Sequence, residues 1–404
     1  MFYNWLMDVI QKLAELSDSM AYEPAEEIGI GGPMPCPVLP TAAPALTAQT
    51  CRPSKMNGVP IHHAVMPGGK SIALLKTLQT SACEKDCYYC CFRAGRDFRR
   101  TTFTPDELAQ GFMAMVQARV VSGLFLSSGV AGGGLRTQDR LIDTAEILRH
   151  KVGFRGYLHL KIMPGAEQAQ VERAMMLADR VSINLEAPNT ACLSRLAPHK
   201  MFMEELLRPL QWVEAIRRTQ PAELGWNGRW PSSTTQFVVG GAGETDLELL
   251  TTTAYLNRAV HLARAYYSGF SPVKDTPMEN LPAINPWRQH RLYQASFLLR
   301  DYGFDLEDIP FQPGGNLPVE VDPKLAWARA NLSDAPVEIN QAERLDLLRI
   351  PGIGPKTAQT ILAARHTGRL HSLGELRGLG VQVNRAAPFL LVDGHRPPEQ
   401  LSLW

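Results

Sequence analysis

The chain has 404 residues, 45% of them hydrophobic and 20% charged, with a formal net charge of +1. That is globular material, enough for one large domain plus a smaller one or for two to three domains. The balanced charge argues for no acidic partner at the level of the whole chain, so any nucleic-acid surface must be local, and no apolar run approaches the roughly 18 residues of a membrane span.

The first segment, "MFYNWLMDVIQKLAELSDSM", has apolar residues at helical spacing interrupted by Asp8, Glu15 and Asp18. It reads as an amphipathic helix, not an export peptide. Residues 22–70 are rich in Pro, Gly and Ala and show nothing periodic, which predicts an extended lead-in. Cys36 and Cys51 lie there and take no assigned role.

From residue 71 short apolar runs alternate with amphipathic stretches. The candidate strands are 71–80, 123–128, 156–163, 180–186, 234–240 and 263–270. Between them, "TPDELAQGFMAMVQARV" opens with Thr104 as N-cap, Pro105 at the first helical position and Glu107 three residues past the cap. "TQDRLIDTAEILRHK" and "GAEQAQVERAMMLAD" are further helices. Six strands alternating with helices predict a parallel sheet. This order fits an open doubly wound sheet or a partial barrel, and in both the active site lies at the C-terminal strand ends. Residues 271–335 form a Pro-rich extension with one strong helix, "PWRQHRLYQASFLLRDYGF", and 336–404 a separate helical unit.

The segment "CEKDCYYCC" holds four of the seven cysteines. Cys83, Cys87 and Cys90 follow C-x3-C-x2-C just after the first candidate strand, and thiolates on a short loop can converge on zinc or on an iron–sulfur centre. A structural zinc site wants a fourth ligand from a second pair. No second pair exists, and no His lies between Cys90 and His150. Three ligands for a four-iron cluster would leave one iron open to a substrate. Cys91 is spare, and an odd cysteine count with one tight cluster fits a reducing compartment, the cytoplasm.

Other strand ends carry polar groups. Lys161 is a cation in an apolar strand and demands a partner, either a carboxylate of a ligand or Glu186. Ser182, Asn184 and Glu186 alternate with Val181, Ile183 and Leu185, which points the polar three to one face. The Gly240–Gly241 pair allows close approach of a flat ligand. Tyr266 and Tyr267 point to opposite faces, so at most one faces the interior. In the last unit, "AERLDLLRIPGIGPKTAQTILAAR" reads as helix, tight turn, helix, with Leu345, Leu348, Ile353, Ala358 and Ile361 on the inner face. Gly352 and Gly354 permit φ > 0 in the turn, and the free amides of the second helix face outward, ready for an anion, with Lys356 beside them. Arg377 and Arg385, in a degraded second copy of this pattern, would extend the basic surface.

The cysteine spacing, with Tyr89 as the aromatic before the last cysteine, resembles the signature of the radical S-adenosylmethionine superfamily. The resemblance implies a partial (β/α)6 barrel over 71–270, a four-iron, four-sulfur cluster on Cys83, Cys87 and Cys90, and S-adenosylmethionine on its open iron. It further implies that Ser127, Ser128 and Gly129 take the place of a Gly-Gly-Glu-like motif gripping the methionine amino group. In the same way Asn184 and Glu186 would meet the ribose, Arg195 the methionine carboxylate and Gly240 the adenine. "PGIGPKTA" resembles the helix-hairpin-helix motif, which implies backbone binding of a DNA phosphate around Gly352, Ile353, Gly354, Lys356 and Thr357. With "GLFLSSGV", "GYLHLKIMPGA", "SINLEAPN", "LAPHK" and "YYSGFSPV", most of 70–400 is similar to a family of DNA modification or repair radical S-adenosylmethionine proteins. Members are often encoded with a uracil-DNA-glycosylase-like partner, and a flavodoxin or ferredoxin would supply electrons. RNA (tRNA) modification by the same chemistry, and a DNA-binding protein with a structural or redox-sensing cluster, are the alternatives. Direct glycosylase chemistry is disfavoured, because after Lys356 the next Asp is Asp393, past the place of a catalytic acid.

Overall fold

The six apolar runs expected to be strands form strands at their expected places. A computed structural model describes residues 2–18, 20, 54–56, 58–65 and 71–397; Cys36 and Cys51 lie outside them. In chain order its first elements are α1 (Phe2–Asp18), β1 (Ser54–Met56), β2 (Val59–Val65), β3 (Ser71–Leu78), α2 (Pro105–Gln117), β4 (Gly123–Ser127), α3 (Gly134–Glu146), β5 (Tyr157–Lys161), α4 (Gln168–Leu177) and β6 (Arg180–Ser182). There follow α5 (Thr190–Leu196), α6 (Arg208–Thr219), β7 (Ser232–Val239), α7 (Asp246–Ala259) and β8 (Arg264–Gly269). The remainder is α8 (Pro286–Asp301), α9 (Pro323–Asn331), β9 (Val337–Glu338), α10 (Arg344–Arg349), α11 (Pro355–Arg365), α12 (Leu373–Gly378), α13 (Val383–Ala386) and β10 (Leu390–Leu391).

Strand order decides what the sequence left open. The eight-stranded sheet runs β1 to β8 in strictly sequential order. From β3 to β8 every neighbouring pair is parallel. A doubly wound sheet reverses its order at a switch point; this one does not, so it is a partial (β/α)6 barrel. Its two remaining strands lie in the lead-in expected to be extended: β1 and β2 form a hairpin, and β2 pairs antiparallel with β3. β1 has only three residues and β2 carries Pro60, which argues against a strand, so the sequence did not announce them.

The strand registers sort residues onto two faces. Leu124, Leu158 and, further along, Leu126, Leu160 and Val181 make one aliphatic face, and α3 and α4 pack on β5 and β6. The opposite face carries Lys76, Phe125 and His159 in one row and Lys161, Ser182 and Thr234 in another. With helices on the aliphatic side, this polar face is the inside of the barrel. Tyr266 is in register with Gln236 on that face, while Tyr267 stacks on Phe237 with centroids 5.9 Å apart on the other. The start of α2 is as the sequence dictates: Glu107 N donates to Thr104 Oγ1 at 3.3 Å and Thr104 N to Glu107 Oε2 at 2.8 Å, a reciprocal capping box.

The chain divides into two compact units, Met1–Ala242 with Ala259–Ala283, and Gly243–Arg258 with Ile284–Trp404. Most of α7 thus belongs to the second unit although it lies between β7 and β8 in the chain. The second unit has its own core, in which Leu347, Leu348, Ile353, Ala358 and Ile361 meet Leu376, Val383 and Phe389. Leu345, expected on this inner face, is instead 53% exposed. The buried face of the short α10 centres on Leu347 and Leu348, which leaves Leu345 on its outer flank. Among the described residues no helix is long and apolar enough to cross a membrane.

Candidate active site

The cysteines lie on the irregular loop between β3 and α2, at the C-terminal end of the parallel strands. Backbone bonds tie this loop to its neighbours. Glu84 N donates to Val130 O at 2.7 Å and Tyr88 N to Leu196 O at 2.7 Å, docking it on the ends of β4 and α5. Arg100 closes the loop from the far side. Its guanidinium donates to the carbonyls of Ser81 (2.7 Å), Phe92 (2.6 Å), Arg93 (2.9 Å) and Arg96 (3.2 Å) and lies 3.7 Å from the Phe98 ring centroid. Gly129 is needed where the loop crosses β4, because a Cβ there would sit 2.3 Å from Ala82 O.

Cys87 is 6% exposed, and Cys83 and Cys90 are half-buried. Two sulfurs receive backbone amides: Val130 N donates to Cys83 Sγ and Phe92 N to Cys90 Sγ, both at 3.4 Å. Burial pushes the Cys83 thiol up and the Cys87 thiol to about 12. The neighbouring Cys91 thiol, and then burial, push Cys90 well above the usual thiol range. Thiols so placed ionise when a metal centre binds them. Among the described residues no three His, Cys, Asp or Glu side chains gather as ligands of a single metal ion. Three thiols on one loop, two of them with N–H···S bonds, fit a cluster.

Around the loop the structure brings together some of the expected residues and separates others. Glu186 does not pair with Lys161. Lys161 Nζ donates to Asn184 Oδ1 at 2.7 Å and lies 5.6 Å from the Phe125 centroid. Glu186 takes a bond from Lys200 Nζ at 3.2 Å instead, and burial, with the Glu186 charge, pushes the Tyr89 hydroxyl well above its usual range. The polar alternation therefore ends at Asn184, because Glu186 has φ 62°, a conformation that only a well-packed site holds for a non-glycine residue. Ser127 and Ser128 are buried at the end of β4, and Ser128 Oγ donates to Gly129 O at 2.7 Å. Arg195 spends its Nε on Ala242 O at 2.6 Å. Gly240 has φ 89° at the end of β7.

Sequence reasoning missed a second layer. His199 Nδ1 and Asp86 Oδ2 are 2.7 Å apart, and Lys85 Nζ reaches Glu205 Oε1 at 3.0 Å and His199 O at 3.4 Å. These bonds clamp the segment after α5 onto the cysteine loop. Glu84 Oε2 accepts from Gly132 N (3.1 Å) and Gly133 N (3.2 Å), which brings a carboxylate near the end of β4 where the strand itself has none. Lys200 had a signal, since it closes the quoted "LAPHK".

In the second unit, α10 and α11 are joined by a turn in which Gly352 has φ 85° and a Cβ would lie 2.6 Å from Gln382 O. Ile353 is buried, Lys356 is exposed, and Gly354 is the N-cap of α11. Thr357 Oγ1 donates to Gly380 O at 3.4 Å, and Gln382 N to Gly352 O at 3.1 Å, which ties this turn to the one between α12 and α13.

No family model matches the chain, and no curated protein matches it. Among solved structures it is similar to the FeFe-hydrogenase maturase HydG from Carboxydothermus hydrogenoformans, at 14% identity over 56% of this chain and 51% of that one, with a TM-score of 0.44. It is also similar to methylornithine synthase (PylB), at 12% identity over 56% of this chain and 61% of that one, TM-score 0.45. The third is the radical S-adenosylmethionine methyltransferase TsrM from Kitasatospora setae, at 12% identity over 54% of this chain and 39% of that one, TM-score 0.38. The chain thus spans between 39% and 61% of the length of these three proteins.

Proposed function

We propose that the chain is a radical S-adenosylmethionine enzyme that modifies or repairs nucleic acid, with DNA as the substrate. The observation that carries this reading is the three-thiol loop at the C-terminal end of a sequentially ordered parallel sheet whose inner face is polar. Cys83, Cys87 and Cys90 hold a four-iron, four-sulfur cluster. Such a cluster, bound with S-adenosylmethionine, supplies a 5′-deoxyadenosyl radical that abstracts hydrogen. Val130 N and Phe92 N donate to the ligand sulfurs, and Gly129 lets the loop close on β4. Ser127, Ser128, Lys161 and Asn184 line the strand ends with donors and acceptors for the methionine and ribose, and Gly240 leaves room for the adenine. Tyr89, half-buried one residue before Cys90, adds an aromatic side to the cofactor's place. A flavodoxin or ferredoxin delivers the electron, and a uracil-DNA-glycosylase-like protein acts with this chain.

The nucleic-acid assignment rests on the second unit. Its α10–α11 turn presents the start of an 11-residue helix with Gly354 as cap and exposed Lys356 beside it, a geometry that suits a backbone phosphate. Anaerobic reconstitution with iron and sulfide tests the chemistry: on reduction, S-adenosylmethionine should yield 5′-deoxyadenosine. An intact cluster without that product would leave only a structural or redox-sensing role. Binding to duplex DNA and to tRNA across a salt series separates the substrates, and tighter binding to tRNA would move the assignment to RNA.

A further inference from the structure

One buried ion pair lies against the cysteine loop. Lys200 Nζ and Glu186 Oε1 are 3.2 Å apart, with the side chains 9% and 6% exposed. Lys200 follows directly on the clamp formed by Leu196 O, His199, Lys85 and Glu205, so its position is set by bonds to the loop that carries the thiols. Glu186 is held from the other side by its backbone: its N donates to Gln236 O at 2.9 Å and its O accepts from Val238 N at 2.7 Å. Buried pairs of this kind are weak sources of stability, so the placement of this one calls for another reason.

The residues on either side of Cys87 both bond the segment that ends in Lys200: Tyr88 N donates to Leu196 O at 2.7 Å, and Asp86 Oδ2 lies 2.7 Å from His199 Nδ1. The Glu186 carboxylate 3.2 Å away keeps the buried ammonium charged. A thiolate-ligated iron–sulfur centre is anionic, and reduction adds a further negative charge. A fixed cation in a poorly screened site favours the reduced form.

We propose that Lys200 is the fixed counter-charge of the Cys83–Cys87–Cys90 centre and raises its reduction potential, with Glu186 orienting the ammonium and partly offsetting it. Lys200 is thus a positioning and tuning residue. The inference rests on the cluster reading above. Its test is an EPR-monitored redox titration of the reconstituted full chain as wild type, Lys200→Gln, Lys200→Arg and Glu186→Gln, with iron and acid-labile sulfide measured for each. Lys200→Gln should move the midpoint to a more negative value, Glu186→Gln to a more positive one, and Lys200→Arg should stay near wild type. A purely structural pair would give no such opposition of sign. Loaded clusters whose midpoints do not move, or move in the same direction, overturn the inference while leaving the cluster in place. A wild type that loads no cluster removes the cluster reading, and this inference with it. If Lys200→Gln does not fold, Glu186→Gln alone decides: a midpoint unchanged or lowered is contrary to the proposal.

Discussion

Cys90 and Cys91 are chain neighbours with different surroundings. Cys90 Sγ accepts from Phe92 N, whereas the Cys91 side chain is buried and stands outside the spaced set. Cys91→Ser should therefore reconstitute with the wild-type iron content, and Cys83→Ser, Cys87→Ser and Cys90→Ser should each lose most of it, read by iron and sulfide assay. In the second unit a single lysine carries a pH signature. Lys324 Nζ donates to Ile353 O at 2.6 Å, inside the α10–α11 turn, and lies 4.7 Å from the Tyr302 ring centroid. Burial, reinforced by the charge of Arg385, pulls its pKa down to about 7. Below pH 7 it is protonated in both folded and unfolded chains, and the folded unit bears the whole cost of burying a cation. Between pH 7 and about 10 the unfolded chain binds a proton that the folded chain does not, so stability rises with pH, by at most about 1.4 kcal/mol per unit. Urea melts of wild type and Lys324→Met at pH 6.5 and 9 should differ in this slope; equal slopes would refute it. Neither Lys324 nor Lys200 stood out as a buried cation in the sequence, because a lysine's burial is set by what folds over it.

Elements show the same division between pattern and packing. The strands and α2 were legible because alternation and an N-cap are local properties: the Thr104–Glu107 box needs only four consecutive residues. The loop from Ser81 to Arg100 has no such pattern, and it is held by one guanidinium that reaches four carbonyls. Lysine cannot reproduce that fork. Arg100→Lys should lower iron uptake several-fold on reconstitution with little change in far-UV circular dichroism, and full uptake would show the loop to be held by its other bonds. At the opposite end of the strands Arg149 has a fully buried side chain. It donates to Leu177 O, Phe154 O and Gly156 O and to Asp179 Oδ2 at 3.0 Å, with Trp226 stacked 3.9 Å away. This end of a barrel serves stability. Removing one partner of a buried pair costs about 3–5 kcal/mol, so Arg149→Met should lower the urea midpoint strongly while the protein that remains folded still takes up iron.

At the scale of the whole molecule, two units divide the work proposed here. If the second binds duplex through backbone amides, Lys356→Ala should weaken binding uniformly across sequences and reduce the salt slope by about one; unchanged affinity would take the α10–α11 turn out of the contact. The sequence by itself determined the α/β class, the strand positions, the three spaced thiols and the helix–turn–helix of the last unit, since each is written in neighbours along the chain. Only the tertiary structure decided that the sheet runs without a switch point, that Ser54–Val65 extends it as a hairpin, and that α7 belongs with the second unit. It alone paired Glu186 with Lys200 and Lys161 with Asn184. Those outcomes depend on which distant segments compete for the same hydrogen bonds and the same buried charge, a competition that no window of sequence contains.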